Sequence, residues 1–339
     1  MSFIICLAAL GFLMLMAYRG FSVILFAPVA ALLAVLVTDP SALLPVYSGL
    51  FMDKMVVFVR LYFPVFLLGA LFGKVVELAG FSKSIVAAVI RMAGPSRAVL
   101  AIVIVCALLT YGGVSLFVVV FAVYPFAAEA FRQGNLPKRL IPVTIALGAF
   151  TFTMDSLPGT PQIQNIIPAA FFKTDAWAAP ILGLCGAIFI FVLGISYVTW
   201  RIRSTTAKGE GYGIGHTQEP EPVPEGELAP PLIALLPLVV VGVTNLVFTK
   251  ALPGLYGPTA TVTLPGLHDP LSVQTAGAIA IWAVELALLC GILTVFIFAF
   301  RRVTFRFAEG SKGAVAGALL ASINTASEYG FGSVIAALP

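Results

Sequence analysis

Apolar runs separated by short polar or basic joints fill most of this chain. A helix crosses the hydrocarbon core of a bilayer in about 20 residues. Runs approaching that length predict spans at Phe3–Ala17, Phe21–Val37, Val56–Ala79, Ala98–Leu109 with Leu116–Phe131, Arg139–Thr153, Ala178–Trp200, Pro231–Phe248 and Thr275–Phe300. A last run, Gly313–Ile323, opens another. The alternation lapses between Trp200 and Pro231, where "RIRSTTAKGEGYGIGHTQEPEPVPEGELAP" is polar, aperiodic and rich in Gly and Pro. That composition predicts a flexible linker over residues 201–230 between a first half, residues 1–200, and a second half, residues 231–339.

Lys and Arg concentrate in Lys74–Arg97, Arg132–Arg139, Arg201–Lys208 and Arg301–Lys312, and few occur in Thr38–Val56 or Lys250–Thr275. The positive-inside bias places the first group, linker included, in the cytoplasm. Arg97 and Arg132 then lie on one side of the membrane although the segment between them is apolar. Its centre, "LTYGGVSLF", carries Gly112 and Gly113 between Thr110 and Ser115. A re-entrant hairpin over residues 97–132 meets both observations; a spanning helix kinked at the glycines is the alternative.

A second interruption is denser. "MDSLPGTPQIQNIIP" runs from Met154 to Pro168, and Pro158, Gly159 and Pro161 stop a helix there. The apolar run before it, Arg139–Thr153, is about 15 residues and too short to cross at about 1.5 Å per residue. A helix over residues 139–172 that unwinds in its middle is expected; a loop outside the membrane is the alternative.

An internal repeat links the first break to the end of the chain. "SRAVLAIVIVCALLTYGGVSLFVVVFAVYP" (Ser96–Pro125) can be laid over "SKGAVAGALLASINTASEYGFGSVIAALP" (Ser311–Pro339), with Thr110 matching Thr325. Repeats that set broken helices at mid-membrane point to the binding site of a secondary transporter. The second half holds no partner for "MDSLPGTPQIQN", so the sequence is expected to be a fragment truncated at its C-terminus. Inverted repeats need an odd number of crossings between the hairpins, whereas the runs give four. Either Ala251–Gln274 hides a crossing or one span is misplaced.

Composition agrees with the pattern: of 339 residues, 60% are hydrophobic and only 10% charged. Soluble domains are about 45–50% apolar and about 25% charged, so a water-soluble globule is excluded and the bilayer is the expected surroundings. The net charge of +4 reflects cytoplasmic joints and not nucleic-acid binding, because no basic patch with interleaved aromatics occurs. Cys6, Cys106, Cys185 and Cys290 all lie inside apolar runs without metal-ligand spacing and read as packing residues. The N-terminus lacks a basic lead and a small-residue cleavage site, and reads as a first membrane helix.

An unsatisfied polar group in hydrocarbon costs several kcal/mol, so the polar breaks must face water, a ligand or other protein. The substrate-binding candidates are Thr110, Gly112, Gly113 and Ser115; Ser156, Gly159, Thr160, Gln162, Gln164 and Asn165; and Asn324, Thr325 and Ser327 from "NTASEYGFG". Their glycines admit close backbone approach, and hydroxyls and amides suit a polyhydroxylated or carboxylated solute. Ionisable residues within spans are functional candidates, which makes Asp155 and Glu328 the proton-coupling candidates. His216 and His268 lie in loops, so a histidine relay is not expected. No catalytic residue or metal site is expected, since neither paired carboxylates, a metal cluster nor an activated nucleophile occurs at suitable spacing. "GALFGK" (Gly69–Lys74) is one residue short of a phosphate loop and lacks the following Ser or Thr. Transport driven by an ion gradient is the expectation, with no cofactor.

"TYGGVSLFVVVFAVYP", "PKRLIPVTIALGAFTFTMDSLPGTPQIQNIIP" and "NTASEYGFGSVIAALP" together resemble the gluconate:proton symporter family of bacterial inner-membrane permeases, within the ion transporter superfamily. The resemblance covers essentially the whole chain. It implies an all-α polytopic membrane protein with repeated halves, re-entrant helical hairpins and unwound transmembrane helices, in elevator-type architecture. It also implies proton-coupled uptake of gluconate or a related hydroxy acid, and a homodimer. Sodium-coupled di- or tricarboxylate transport, as in related members of the superfamily, is the alternative. A membrane-embedded enzyme is the alternative from another class.

Overall fold

The computed structural model describes residues 2–94, 97–114, 116–214, 228–263, 265–266 and 270–338. Among them, four helical stretches are long and apolar enough to cross a membrane: Pro40–Leu78, Pro180–Thr206, Pro231–Tyr256 and Ala278–Ala337. The chain is a mostly helical polytopic membrane protein. It divides into two compact units, residues 1–67 with 313–339 and residues 68–312, a division that does not follow the two sequence halves.

The first unit begins with α1 (Ser2–Tyr18) and α2 (Val23–Thr38), which pair. Ala9, Ala27, Ala30, Ala31 and Ala34 are buried in their shared core, and small side chains of this kind let helix backbones approach closely. Asp39 then caps a tight turn at Pro40–Ala42 by accepting from the Ser41 amide at 3.0 Å and the Ser41 hydroxyl at 2.6 Å, bonds that lower its pKa. The short α3 (Leu43–Pro45) and a wide helical turn at Val46–Phe51 lead into α4 (Met52–Leu78). The ring of Phe58 in α4 lies tilted against Tyr62 at 4.7 Å and against Tyr329 at 5.6 Å.

The second unit takes in the end of α4 and then α5 (Phe81–Ala93), α6 (Ala98–Tyr111) and α7 (Leu116–Gln133), which pack on one another. At 14 residues α6 is about 21 Å long, short of the roughly 30 Å hydrocarbon core. Gly113 adopts φ +89° in the turn after it, a conformation that suits a residue without a Cβ. A nine-residue helix, α8 (Ile141–Ala149), opens on Pro142 in its first turn. One turn, α9 (Phe152–Asp155), follows, then non-helical backbone, then α10 (Ile163–Phe171). Two long helices come next, α11 (Pro180–Thr206) and α12 (Pro231–Tyr256). Strands β1 (Thr259–Val262) and β2 (Leu271–Gln274) form an antiparallel hairpin, with Thr259 opposite Gln274.

The last helix, α13 (Thr275–Ala337), is bent at Ala299, where φ is −133° and ψ 27°. Across the bend the rings of Phe296 and Phe307 lie 5.5 Å apart. Eleven residues of straight helix would separate them by about 16 Å, so the chain turns sharply. The arm after the bend carries Arg301, Arg302 and Arg306, and sets Gly310 against Lys74 and Leu78.

Several expectations change. The stretch Asn324–Gly330 is not a break: α13 runs through it without interruption. It contains no Pro, and its hydroxyls turn back onto their own helix, Thr325 donating to the Ala321 carbonyl at 3.0 Å and Ser327 to the Ile323 carbonyl at 2.9 Å. The stretch aligned with it turns at Gly112–Val114, so the two aligned stretches differ in conformation at their centres. The 201–230 stretch is not uniformly a free linker: α11 continues to Thr206, and Arg139 grips Glu210 at 2.6 Å while the Tyr212 amide donates to Asn135 at 3.1 Å. Residues 215–227 of that stretch, with His216, lie outside the described residues, as do Ser115 and His268. Ala251–Gln274 contains the end of α12 and the hairpin, and no further crossing helix among the described residues. The amphipathic α5 and the two strands are not among the expected elements.

Candidate functional site

Within the second unit, two of the expected breaks meet. α6 ends because Gly112 and Gly113 follow it, and the chain turns there into α7. α9 ends because Pro158 and Pro161 cannot donate backbone hydrogen bonds, and Gly159 between them sits at φ +79°. The side-chain amide of Gln162 bridges the two breaks, donating to the Thr110 carbonyl at 2.7 Å and lying 3.5 Å from that of Val114. Tyr111 adds a second tie, its hydroxyl donating to the Pro158 carbonyl at 2.9 Å.

The freed backbone groups of the second break find partners at a distance in sequence. Gly159 N–H donates to the Ala176 carbonyl at 2.7 Å, which also accepts from the Asn165 amide at 3.0 Å. The same Asn165 nitrogen donates to the Thr160 carbonyl at 3.0 Å. Asn245, fully buried in the middle of α12, donates to the Gly159 carbonyl at 3.1 Å and accepts from the Thr249 hydroxyl at 3.2 Å. Each such bond is worth about 1 kcal/mol net, and leaving a buried partner unmade costs about 1–3 kcal/mol. The unwound backbone is therefore a held structure.

Packing is close at the glycines. A Cβ on Gly112 would collide with Leu238 of α12, and one on Gly113 would meet Pro161, Leu288 and Phe72. At Gly159 the obstacle is the Trp177 indole. Against this tight surround, the hydroxyls of Thr110 and Thr160 stand out: both residues are 0% exposed, and neither oxygen has a hydrogen-bond partner among the described residues. Buried polar side chains are overwhelmingly paired, so these two hydroxyls, like those of Ser82 and Ser322 elsewhere, are exceptions, and here they fall where two helix breaks meet.

The remaining candidates fall elsewhere. Ser156 is half-buried and donates to the Asp155 carboxylate at 2.9 Å, and Asp155 itself is exposed. Gln164 is exposed on α10. Asn324, Thr325, Ser327 and Glu328 belong to the first unit, on the continuous part of α13, with the Asn324 amide 3.5 Å from the Glu328 carboxylate. Lys74 pairs with Glu77 at 3.0 Å and Glu129 with Arg132 at 2.7 Å. Sequence reasoning missed Asn245 and Tyr111. For Asn245 the signal is present, a lone amide inside "VVVGVTNLVFT"; for Tyr111 nothing in the sequence singles out the hydroxyl.

Over its whole length the chain is 55% identical to the Bacillus subtilis (strain 168) protein named "Uncharacterized transporter YxjC", in an alignment that covers 74% of that protein. The chain belongs to this family of membrane transporters. Neither the models of known protein families nor the solved structures give a match.

Proposed function

We propose that the chain is a secondary active transporter that imports gluconate or a related small hydroxy-acid anion together with protons across the bacterial inner (cytoplasmic) membrane. The observation that carries this reading is the pair of fully buried hydroxyls without a partner among the described residues, Thr110 and Thr160, where the turn after α6 meets the unwound backbone after α9. Hydroxyls, amides and backbone groups without fixed charge suit the many hydroxyls of a sugar acid. The 55% identity to a transporter supports the class of activity. The resemblance to gluconate permeases supports the solute, the proton and a homodimer.

In this reading α6 and α7 form a re-entrant hairpin whose tip, with Ser156–Asn165, surrounds the solute. Asp155 and Glu328 are the proposed proton carriers. Uptake into proteoliposomes under separate proton and sodium gradients tests the coupling: a proton gradient alone drives accumulation, and dependence on sodium alone contradicts it. Asp155→Asn and Glu328→Gln are each expected to lower proton-driven uptake at least tenfold; full uptake in both removes them as carriers. A solute at 100 times its Kd stabilises the folded protein by about 2.7 kcal/mol, so a thermal-shift panel of sugar acids and hydroxy acids identifies the substrate.

A further inference from the structure

A cavity of about 420 Å³ lies between α6, α11 and the chain from Phe152 to Trp177. Its walls include Ile104, Leu108, Tyr111, Trp177, Leu184 and Phe191, and none of its described wall residues is charged. It does not include Thr110, Thr160, Gln162 or Asn165. Ile104, Leu108 and Leu184 are 38%, 40% and 49% exposed, so the cavity opens at the flank of the helices and not into the polar site. The exposed residues of α11 beside it, Ile188, Phe189, Val192 and Leu193, are all apolar.

Depth follows from helix rise. Counting from Arg97 and Arg201, the basic ends of α6 and α11, at about 1.5 Å per residue, Ile104 and Phe191 lie about 10 and 15 Å in. Tyr111 and Leu184 lie about 21 and 25 Å in, and Pro180 about 31 Å in, one hydrocarbon thickness away. Trp177 precedes Pro180, at the level where tryptophans gather in membrane proteins. The cavity thus runs from the interface opposite the basic ends toward the middle of the bilayer.

We propose that this cavity seats one acyl chain of a phospholipid from the leaflet opposite the basic ends, its ester region level with Trp177. The chain's occupancy bears on the backbone behind it. The Trp177 indole covers Gly159, and the neighbouring Ala176 carbonyl holds both the Gly159 amide and Asn165. A lipid packed on Trp177 braces the unwound segment and makes its mobility depend on the bilayer. The inference uses only the cavity and its depth, and is independent of which solute the protein carries.

The test uses Trp177 as its own probe. With Trp200→Phe and Trp282→Phe, Trp177 is the sole tryptophan, and the full chain is reconstituted in vesicles of phosphatidylcholine with brominated acyl chains. Brominated chains quench Trp177 at least twofold more than aqueous iodide does, and Ala107→Phe, which fills the cavity, halves that quenching at an unchanged unfolding temperature. Leu108→Phe is the second filling variant should the first fail to fold. Quenching unaffected by a folded filling variant overturns the proposal. So does weak quenching accompanied by cross-linking of Cys185, exposed on α11, to Cys185 of a second copy, which assigns the flank to self-association.

Discussion

"MDSLPGTPQIQN" and "NTASEYGFG" look alike as polar, small-residue interruptions of apolar sequence, yet one unwinds and the other stays helical. The first has Pro158 and Pro161 bracketing a glycine at φ +79°, and Asn245, Ala176 and Asn165 to bond the groups the prolines release. The second has no proline, and its Thr325 and Ser327 hydroxyls bond carbonyls one turn back. Polarity alone does not unwind a membrane helix. Missing backbone donors do, provided that distant partners receive what is freed.

The largest effect expected from that contrast is at glycine. Gly159→Ala forces a left-handed backbone on alanine and drives a methyl into the Trp177 indole, and should cost about 3–4 kcal/mol or prevent folding. Gly332→Ala, on the unbroken helix with open space around it, should stay within about 0.5 kcal/mol. Equal shifts in unfolding temperature for the two would break the comparison. Next comes conversion of one region toward the other. Ala326→Pro supplies the missing breaker without supplying partners and should destabilise by about 3 kcal/mol, read in thermal unfolding.

Removing a partner is milder. Asn245→Ala leaves the Gly159 carbonyl unpaired in a buried place and should cost about 2 kcal/mol. The smallest effect belongs to Glu210, whose carboxyl the hydrogen bond from Arg139 holds below its ordinary pKa. A lowered folded value means that the pair stabilises above the ordinary carboxylate range and that this contribution fades as pH falls through the lowered value. Both side chains are exposed, so Glu210→Gln should barely move the unfolding temperature at neutral pH and should flatten its decline in acid.

Much of the helical plan was legible because apolar length is a direct consequence of bilayer thickness. Thr275–Phe300 was expected as a span and the bend at Ala299 falls at its end, just before Arg301 and Arg302. Both the Gly112–Gly113 turn and the Pro158–Pro161 break follow from backbone chemistry that glycine and proline carry on their own. The continuity of α13 through Asn324–Gly330 was not legible from composition, since it depends on hydroxyls bonding back along the helix. The amphipathic α5 was hidden because an apolar stripe broken by Ser82, Lys83 and Ser84 resembles a joint. Asn245 was overlooked among apolar neighbours, although a single amide in a span always needs a partner. The meeting of the two breaks could be argued only as a consequence of burial; the bond from Gln162 to Thr110 makes it concrete.

The central claim is that the turn after α6 and the unwound backbone after α9 meet at one place. It is tested most directly by placing cysteines at Thr110 and Gln162, in a chain freed of its four native cysteines, and treating native membranes with a short bifunctional thiol reagent. The two cysteines should be bridged within one chain. Separate modification of both cysteines without bridging would contradict the account.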